Sequence, residues 1–271
     1  MKKTLHKFLI QPEFKLDSHT FRMRNKTFKF MGTDNKTNWN KNKNLNSLKY
    51  YKDNQIEYRL NNFGYRTPYD FKNGDEVNIF LGCSHTIGYG IEFEKTWPHL
   101  LTQEIGGNIV NLAVGGCSID RQFRELYTWM NFFKIKNIFH FQPIYAREEF
   151  LSDNKIHKFS VHSPTEEIEK NINKQFLVEN FGSDVYILKK YVTNILAIES
   201  ISNRLGCDYY YIHELPKHDV NGIPARDNMH MDVNGHKKIS EEFLDKYLLK
   251  NTNKDLLEFD FSDINNKKAI I

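Results

Sequence analysis

The sequence predicts an α/β fold, a three-layer α/β/α sandwich around a central parallel sheet. Three observations predict it. Between residues 76 and 248, short apolar runs alternate with stretches whose apolar residues recur at helical spacing. The runs are almost continuously apolar and rich in β-branched and aromatic residues, as strands buried on both faces are. Each run ends in glycine or polar residues, and strand–helix alternation of this kind calls for helices on both faces of a parallel sheet. No internal repeat is visible.

"VNIFLG", closing at Gly82, reads as the first buried strand. After a glycine loop, Thr96 stands where it can cap a helix that carries Trp97, Leu100, Leu101 and Ile105 on one side. "NIVNLAV", residues 108–114, is the second strand. Ser118 then precedes Ile119, Phe123, Leu126, Met130 and Phe133, which share one helical face. "NIFHF", residues 137–141, is the third strand, and residues 150–182 form a polar insertion of weak helical character. A longer helix follows with Leu188, Tyr191, Ile195, Ile198 and Leu205 inward, and Gly206 closes it. "CDYYYIH", residues 207–213, is the fourth strand; Asn234 can cap a last helix containing Ile239, Phe243 and Tyr247, with His236 facing solvent in its first turn.

Residues 1–70 read as an N-terminal extension, 71–250 as the main domain and 251–271 as a tail. "NKTNWNKNKNLN", residues 35–46, has too little apolar surface to bury and reads as a solvated loop. The aromatics of "YRLNNFGYRTPYDF" suit an extension that packs on the main domain and does not fold alone.

Composition excludes several functions. With 39% apolar residues the chain is globular, and a formal charge of +4, with lysines dispersed, gives no footprint for nucleic acid. The three cysteines have no C-x-x-C spacing, so neither a disulfide framework nor a zinc site is expected, and a reducing, cytoplasmic compartment fits. The start lacks a signal-peptide core, and no apolar run is long enough to span a membrane. "GYG", residues 88–90, lacks phosphate-loop spacing, and the histidines form no metal set, so no cofactor is expected. Oligomeric state leaves no sign in the sequence.

The chemistry centres on "NIFLGCSHTIGYG", residues 78–90. In parallel sheets ligands bind beyond the carboxyl ends of the strands. Ser84, Gly115 with Gly116, Gln142 and the loop after His213 all fall on that edge. In "ARDNMHMDVNGHKKI", residues 225–239, Asp227 and His230 are three apart before a helix, a spacing at which a carboxylate can hold one imidazole nitrogen while the other faces outward. A serine hydroxyl needs such a base beside it to become a nucleophile. Cys83 reads as a buried filler, with a reactive thiol as the alternative.

Taken together, Ser84 in "LGCSHTIGYGIEFEKTWPHLL", the glycines of "NIVNLAVGGCSIDRQ" and the Asp-x-x-His of "DNMHMDVNGHKKI" resemble the SGNH, or GDSL-type, hydrolase family over residues 60–248, with "NNFGYRTP" as a lead-in segment. The resemblance implies a flavodoxin-like sandwich and a serine esterase, with Ser84 the nucleophile, His230 the base and Asp227 its partner. It also implies an oxyanion site from Ser84 and Gly116, Gly115 being the alternative glycine. The chain departs from the family twice: Cys83 stands where Asp usually precedes the serine, and "HFQPIYAREEF", residues 140–150, stands where Gly-x-Asn-Asp is usual. There Gln142 offers a side-chain N–H to an oxyanion and Arg147 offers charge, with His85 and Arg147 as substrate-binding candidates. A "GCS-x-T" first block with this third block resembles a subset found in viruses and bacteria. The implied substrate is a small-molecule or carbohydrate acyl ester, cleaved by a deacetylase for example. A non-catalytic glycan-binding or structural module, and an acyltransferase with the same triad, are the alternatives.

Overall fold

A computed structural model of the chain describes residues 22–142, 147–152, 155–160, 184–213, 216 and 222–252. Before the main sheet come β1 (Thr27–Phe28), α1 (Lys36–Asn42), a short turn of helix α2 (Tyr50–Asp53) and β2 (Tyr58–Arg59). β1 and β2 pair antiparallel. The stretch expected as a loop at 35–46 instead contains α1, whose first turn is capped by the Asn35 side chain accepting from Asn38 N–H. None of its residues is buried, although Trp39 packs against a small core of Leu48, Tyr51, Ile56 and Tyr58.

The main unit runs β3 (Glu76–Gly82), α3 (Ser84–Ile87), α4 (Trp97–Ile105), β4 (Asn108–Asn111), α5 (Ile119–Trp129) and β5 (Lys134–Phe141). A hairpin of β6 (Arg147–Ser152) and β7 (Lys155–Ser160) follows, then α6 (Asp184–Leu205), β8 (Asp208–Ile212) and α7 (Val233–Leu248). The four long strands form one parallel sheet in the order β4-β3-β5-β8. Most of the expected 150–182 insertion, the 253–271 part of the tail and residues 1–21 lie outside the described residues.

Strand alternation divides the core in two. Phe80, Ile109, Phe139, Phe141, Tyr210 and Ile212 point to one face, covered by Trp97 and Leu101 of α4 and Ile239 and Phe243 of α7. Ile79, Leu81, Val110, Leu112, Ile138, Tyr209 and Tyr211 point to the other. There α5 contributes Ile119, Leu126 and Trp129, α6 contributes Ile195, Ile198 and Ile201, and Tyr65 and Phe71 of the preceding segment join the same cluster. No described helix is long and apolar enough to cross a membrane.

Several sequence expectations change at the helix ends. Thr96 does not cap α4: its hydroxyl donates to Phe93 O, and Trp97 N–H is bound by His236 Nδ1 at 3.1 Å. His236 is therefore fully buried rather than facing solvent, because α7 packs against the start of α4. Asp232, not Asn234, caps α7, accepting from Gly235 N–H at 2.6 Å. On α6, Leu188 is 53% exposed and Ile187 takes the inward position. Ser118, which precedes the apolar face of α5, caps that helix by accepting from Arg121 N–H.

Candidate active site

Gly82 ends β3 with φ +156°, and a Cβ there would lie 2.0 Å from Thr86 Oγ1 and 2.7 Å from Phe141 O, so only glycine lets the chain turn this tightly. The turn brings Ser84 to the first position of α3. Cys83 is buried completely, the small filler the sequence suggested, and its carbonyl accepts the N–H groups of Thr86 and Ile87. Arg66, from the lead-in segment, is 4% exposed and spans the far end of α3, donating from Nη1 to Ile87 O and Gly88 O and from Nη2 to Ile91 O. The serine loop is thus held by backbone geometry and by one buried guanidinium.

The other half of the site lies before α7. Asp227 is buried, and its Oδ1 accepts the N–H groups of Met229 at 3.1 Å and His230 at 3.2 Å, which closes the turn from carboxylate to imidazole. Asp227 Oδ2 lies 2.6 Å from His230 Nδ1, and His230 Nε2 lies 2.8 Å from Ser84 Oγ. Burial alone would raise the Asp227 carboxyl, but its bond to His230, the imidazole charge, and the Thr33 and Met229 donors outweigh burial and hold it below its ordinary value. A carboxylate only accepts, so Nδ1 carries the proton and Nε2 faces the serine hydroxyl as acceptor. The three residues expected from sequence meet in one hydrogen-bonded line.

Gly116, with φ +67°, lies exposed in the loop after β4. Neither its N–H nor that of Ser84 finds a backbone acceptor among the described residues. Gly115 serves differently: a Cβ there would sit 2.3 Å from Tyr89 Oη, so its role is to let Tyr89 approach.

His85, next to Ser84, takes Met231 N–H on Nδ1 at 3.3 Å, so its proton resides on Nε2. Its ring lies 4.9 Å from that of His230. Burial first, then the His230 and Arg147 charges, push it down to about 3, and it is neutral at ordinary pH. His85 and His230 both line a cavity of about 260 Å³ with Asn228, Met229 and Met231.

Gln142 follows Phe141, the register partner of Gly82, and is buried. A polar chain fixes its amide. Burial pushes His140 down to about 3, so the ring is neutral; its Nε2 donates to Gln122 Oε1 at 2.6 Å, which leaves Nδ1 to accept from Tyr209 OH at 2.9 Å. Gln122 Nε2 in turn donates to Gln142 Oε1 at 2.5 Å. With its oxygen committed, Gln142 directs its amide nitrogen away from Gln122.

Arg147 opens β6. Its acidic sequence neighbours pair elsewhere, Glu148 with Lys190 and Glu149 with Arg124 at 2.5 Å. Arg147 Nη1 is buried without a hydrogen-bond partner among the described residues.

Sequence reasoning missed Thr33, whose hydroxyl donates to Asp227 Oδ2 at 2.6 Å. It also gave no role to Arg66, to the Tyr209–His140–Gln122 chain or to the buried His236. Of these only Thr33 lay outside every segment the sequence singled out.

No family model and no curated relative matches the chain. Solved structures similar to it include a carbohydrate esterase whose active site displays divergent catalytic and non-catalytic binding functions (13% identity, 69% of this chain and 70% of that one, TM-score 0.34). A psychrotrophic esterase from Pseudoalteromonas sp. is 14% identical over 65% of this chain and 100% of its own, with TM-score 0.32. An acetyl xylan esterase from the rumen bacterium Butyrivibrio proteoclasticus is 11% identical over 73% of this chain and 68% of its own, with TM-score 0.35.

Proposed function

We propose that the chain is a serine esterase acting on small or carbohydrate-borne acyl esters. The observation that carries this reading is the continuous line from Ser84 Oγ through His230 to Asp227, with contacts of 2.8 and 2.6 Å. In the reaction, Ser84 Oγ attacks the ester carbonyl while its proton passes to His230 Nε2, and Asp227 stabilises the imidazolium. The oxyanion is held by the N–H groups of Ser84 and Gly116, with the Gln142 amide as third donor in place of the missing Asn block. His230 returns the proton to the departing alkoxide. Water, activated by the same imidazole, then releases the acyl group from Ser84. Arg147 and the Nε2–H of His85 bind the part of the substrate that reaches the cavity beside His230. A guanidinium whose Nη1 has no hydrogen-bond partner among the described residues, near a neutral imidazole, favours a substrate that carries an acidic group.

Intact-mass spectrometry after treatment with a fluorophosphonate tests the reading, since only an activated serine reacts. One adduct is expected on the wild type and on Cys83→Ala, and none on Ser84→Ala, which should also lose ester cleavage by about 10⁴-fold or more with its thermal midpoint nearly unchanged. An unlabelled wild type would overturn the esterase and leave a binding module of the same fold. Labelling with turnover only in the presence of a sugar hydroxyl would point to acyl transfer.

A further inference from the structure

We propose that Thr33 is a positioning residue of the active site, and that residues 32–34 form a strap that holds the acid–base half of the triad in register with Ser84. The inference rests on the esterase reading above. It concerns a segment that precedes the sheet and that no motif connects with catalysis.

The carboxylate of Asp227 makes four bonds. Oδ1 takes two backbone N–H groups from its own turn, those of Met229 and His230. Oδ2 takes His230 Nδ1 at 2.6 Å and the Thr33 hydroxyl at 2.6 Å. Thr33 is thus the one donor to this carboxylate from outside residues 227–230 among the described residues, and its oxygen lies 3.3 Å from His230 Nδ1 as well. A carboxylate held only by its own short turn can rotate about its side-chain bonds with the imidazole following; a second donor on the oxygen that faces the imidazole fixes the plane of both.

The residues on either side of Thr33 show that the strap is anchored where it matters. Gly32 lies flat on Tyr89, such that a Cβ would come within 2.3 Å of its ring, and the Tyr89 ring stands edge-on to His230 at 5.6 Å between centroids. Asp34 takes Arg226 Nε at 2.8 Å and Nη2 at 2.6 Å in a two-pronged pair whose members are each 1% exposed. Tyr58 OH adds a 2.5 Å bond to the same Asp34. Arg226 immediately precedes Asp227, and its own N–H donates to Gly90 O at 2.8 Å, in the loop after the nucleophile helix. Three consecutive residues of the strap therefore engage a neighbour of the base, the partner of the base and the residue next to that partner. The Thr33 carbonyl is itself fixed by Asn38 Nδ2 at 2.7 Å, which leaves the hydroxyl little freedom to turn away.

The test is the rate of phosphonylation by a fluorophosphonate, with kcat and KM for a neutral acetyl ester, in wild type, Thr33→Val and Thr33→Ser. Valine keeps the volume and removes the donor; serine restores the donor. Loss of a hydrogen bond to a charged group predicts a fall of about 10- to 100-fold in phosphonylation rate and kcat for Thr33→Val, with KM within about 3-fold and serine within about 3-fold of wild type. A residue that only secures the strap would lower the thermal midpoint and leave both rates unchanged, and that result overturns the proposal. So does a Thr33→Ser variant as slow as Thr33→Val. A wild type that takes no adduct overturns the esterase reading and this inference with it, whereas a labelled wild type matched by an equally fast Thr33→Val overturns the inference alone.

Discussion

The two halves of the site are built in different ways. The serine loop is shaped by its own backbone, with the one buried Arg66 guanidinium closing its far end: Gly82 permits the turn, Cys83 accepts the first N–H groups of α3, and Ser84 follows within two residues. The Asp227–His230 loop is shaped by side chains from distant sequence, with Thr33, Asp34 and Tyr51 reaching it across more than 170 positions. A nucleophile needs one sharp local geometry, which glycine and a helical turn supply. A base must meet two partners at once, and the turn of 227–230 supplies only one of them.

The largest effect that can break this comparison is expected at Asp34. Removing it with Asp34→Ala leaves Arg226 charged and buried, and the loss of half a buried pair costs about 3–5 kcal/mol. Urea denaturation should show it as a lower midpoint with an unchanged slope. The double variant Asp34→Leu with Arg226→Met removes both charges and should recover much of the stability. If the strap serves the base half as argued, ester turnover in that double variant stays low although the fold is restored. Full recovery of turnover would mean that the Asp227–His230 loop holds itself, and the contrast between the halves would collapse.

The same contrast explains what could be read in the sequence. The four strands were legible because each is a short apolar run closed by glycine or polar residues, and Ser84 was legible because it directly follows one of them. Asp227 and His230 were legible because the two partners lie three residues apart. Thr33 was not, since its partner lies 194 positions away and a lone threonine in an Asn-rich stretch carries no pattern. His236 reads as solvent-facing in the first turn of the last helix; it is buried because the N-terminus of α4 brings to it an N–H that has no acceptor within that helix. Gln122 and His140 sit at positions that a hydrophobic pattern would give to the core, and they are in the core, as a hydrogen-bonded chain that periodicity cannot distinguish from an apolar one.

That chain sharpens the comparison from the serine side. If Gln142 is the third oxyanion donor, Gln142→Leu should lower kcat by about 100- to 1000-fold with little change in KM, the loss typical of one such donor. The fluorophosphonate adduct should still form on Ser84, more slowly. An unchanged kcat would mean that the N–H groups of Ser84 and Gly116 suffice, and that the oxyanion site is built from backbone alone.

The smallest expected effect concerns Arg147, which belongs to neither half and approaches the site from the β6–β7 hairpin. Its two acidic sequence neighbours pair with Lys190 and Arg124, and its Nη1 has no hydrogen-bond partner among the described residues. A pair of acetyl esters that differ only in a carboxylate against its neutral amide separates recognition from chemistry. Arg147→Gln should reduce the kcat/KM preference for the acidic ester by about 10-fold and leave the neutral ester within about 2-fold, because a charge that binds a remote group contributes equally to the ground and transition states of that substrate. Equal losses on both esters would place the guanidinium at the developing oxyanion instead. Arg147 would then count with Gln142 as part of the nucleophile's side of the site, reached through a hairpin and not through the strand that carries Ser84.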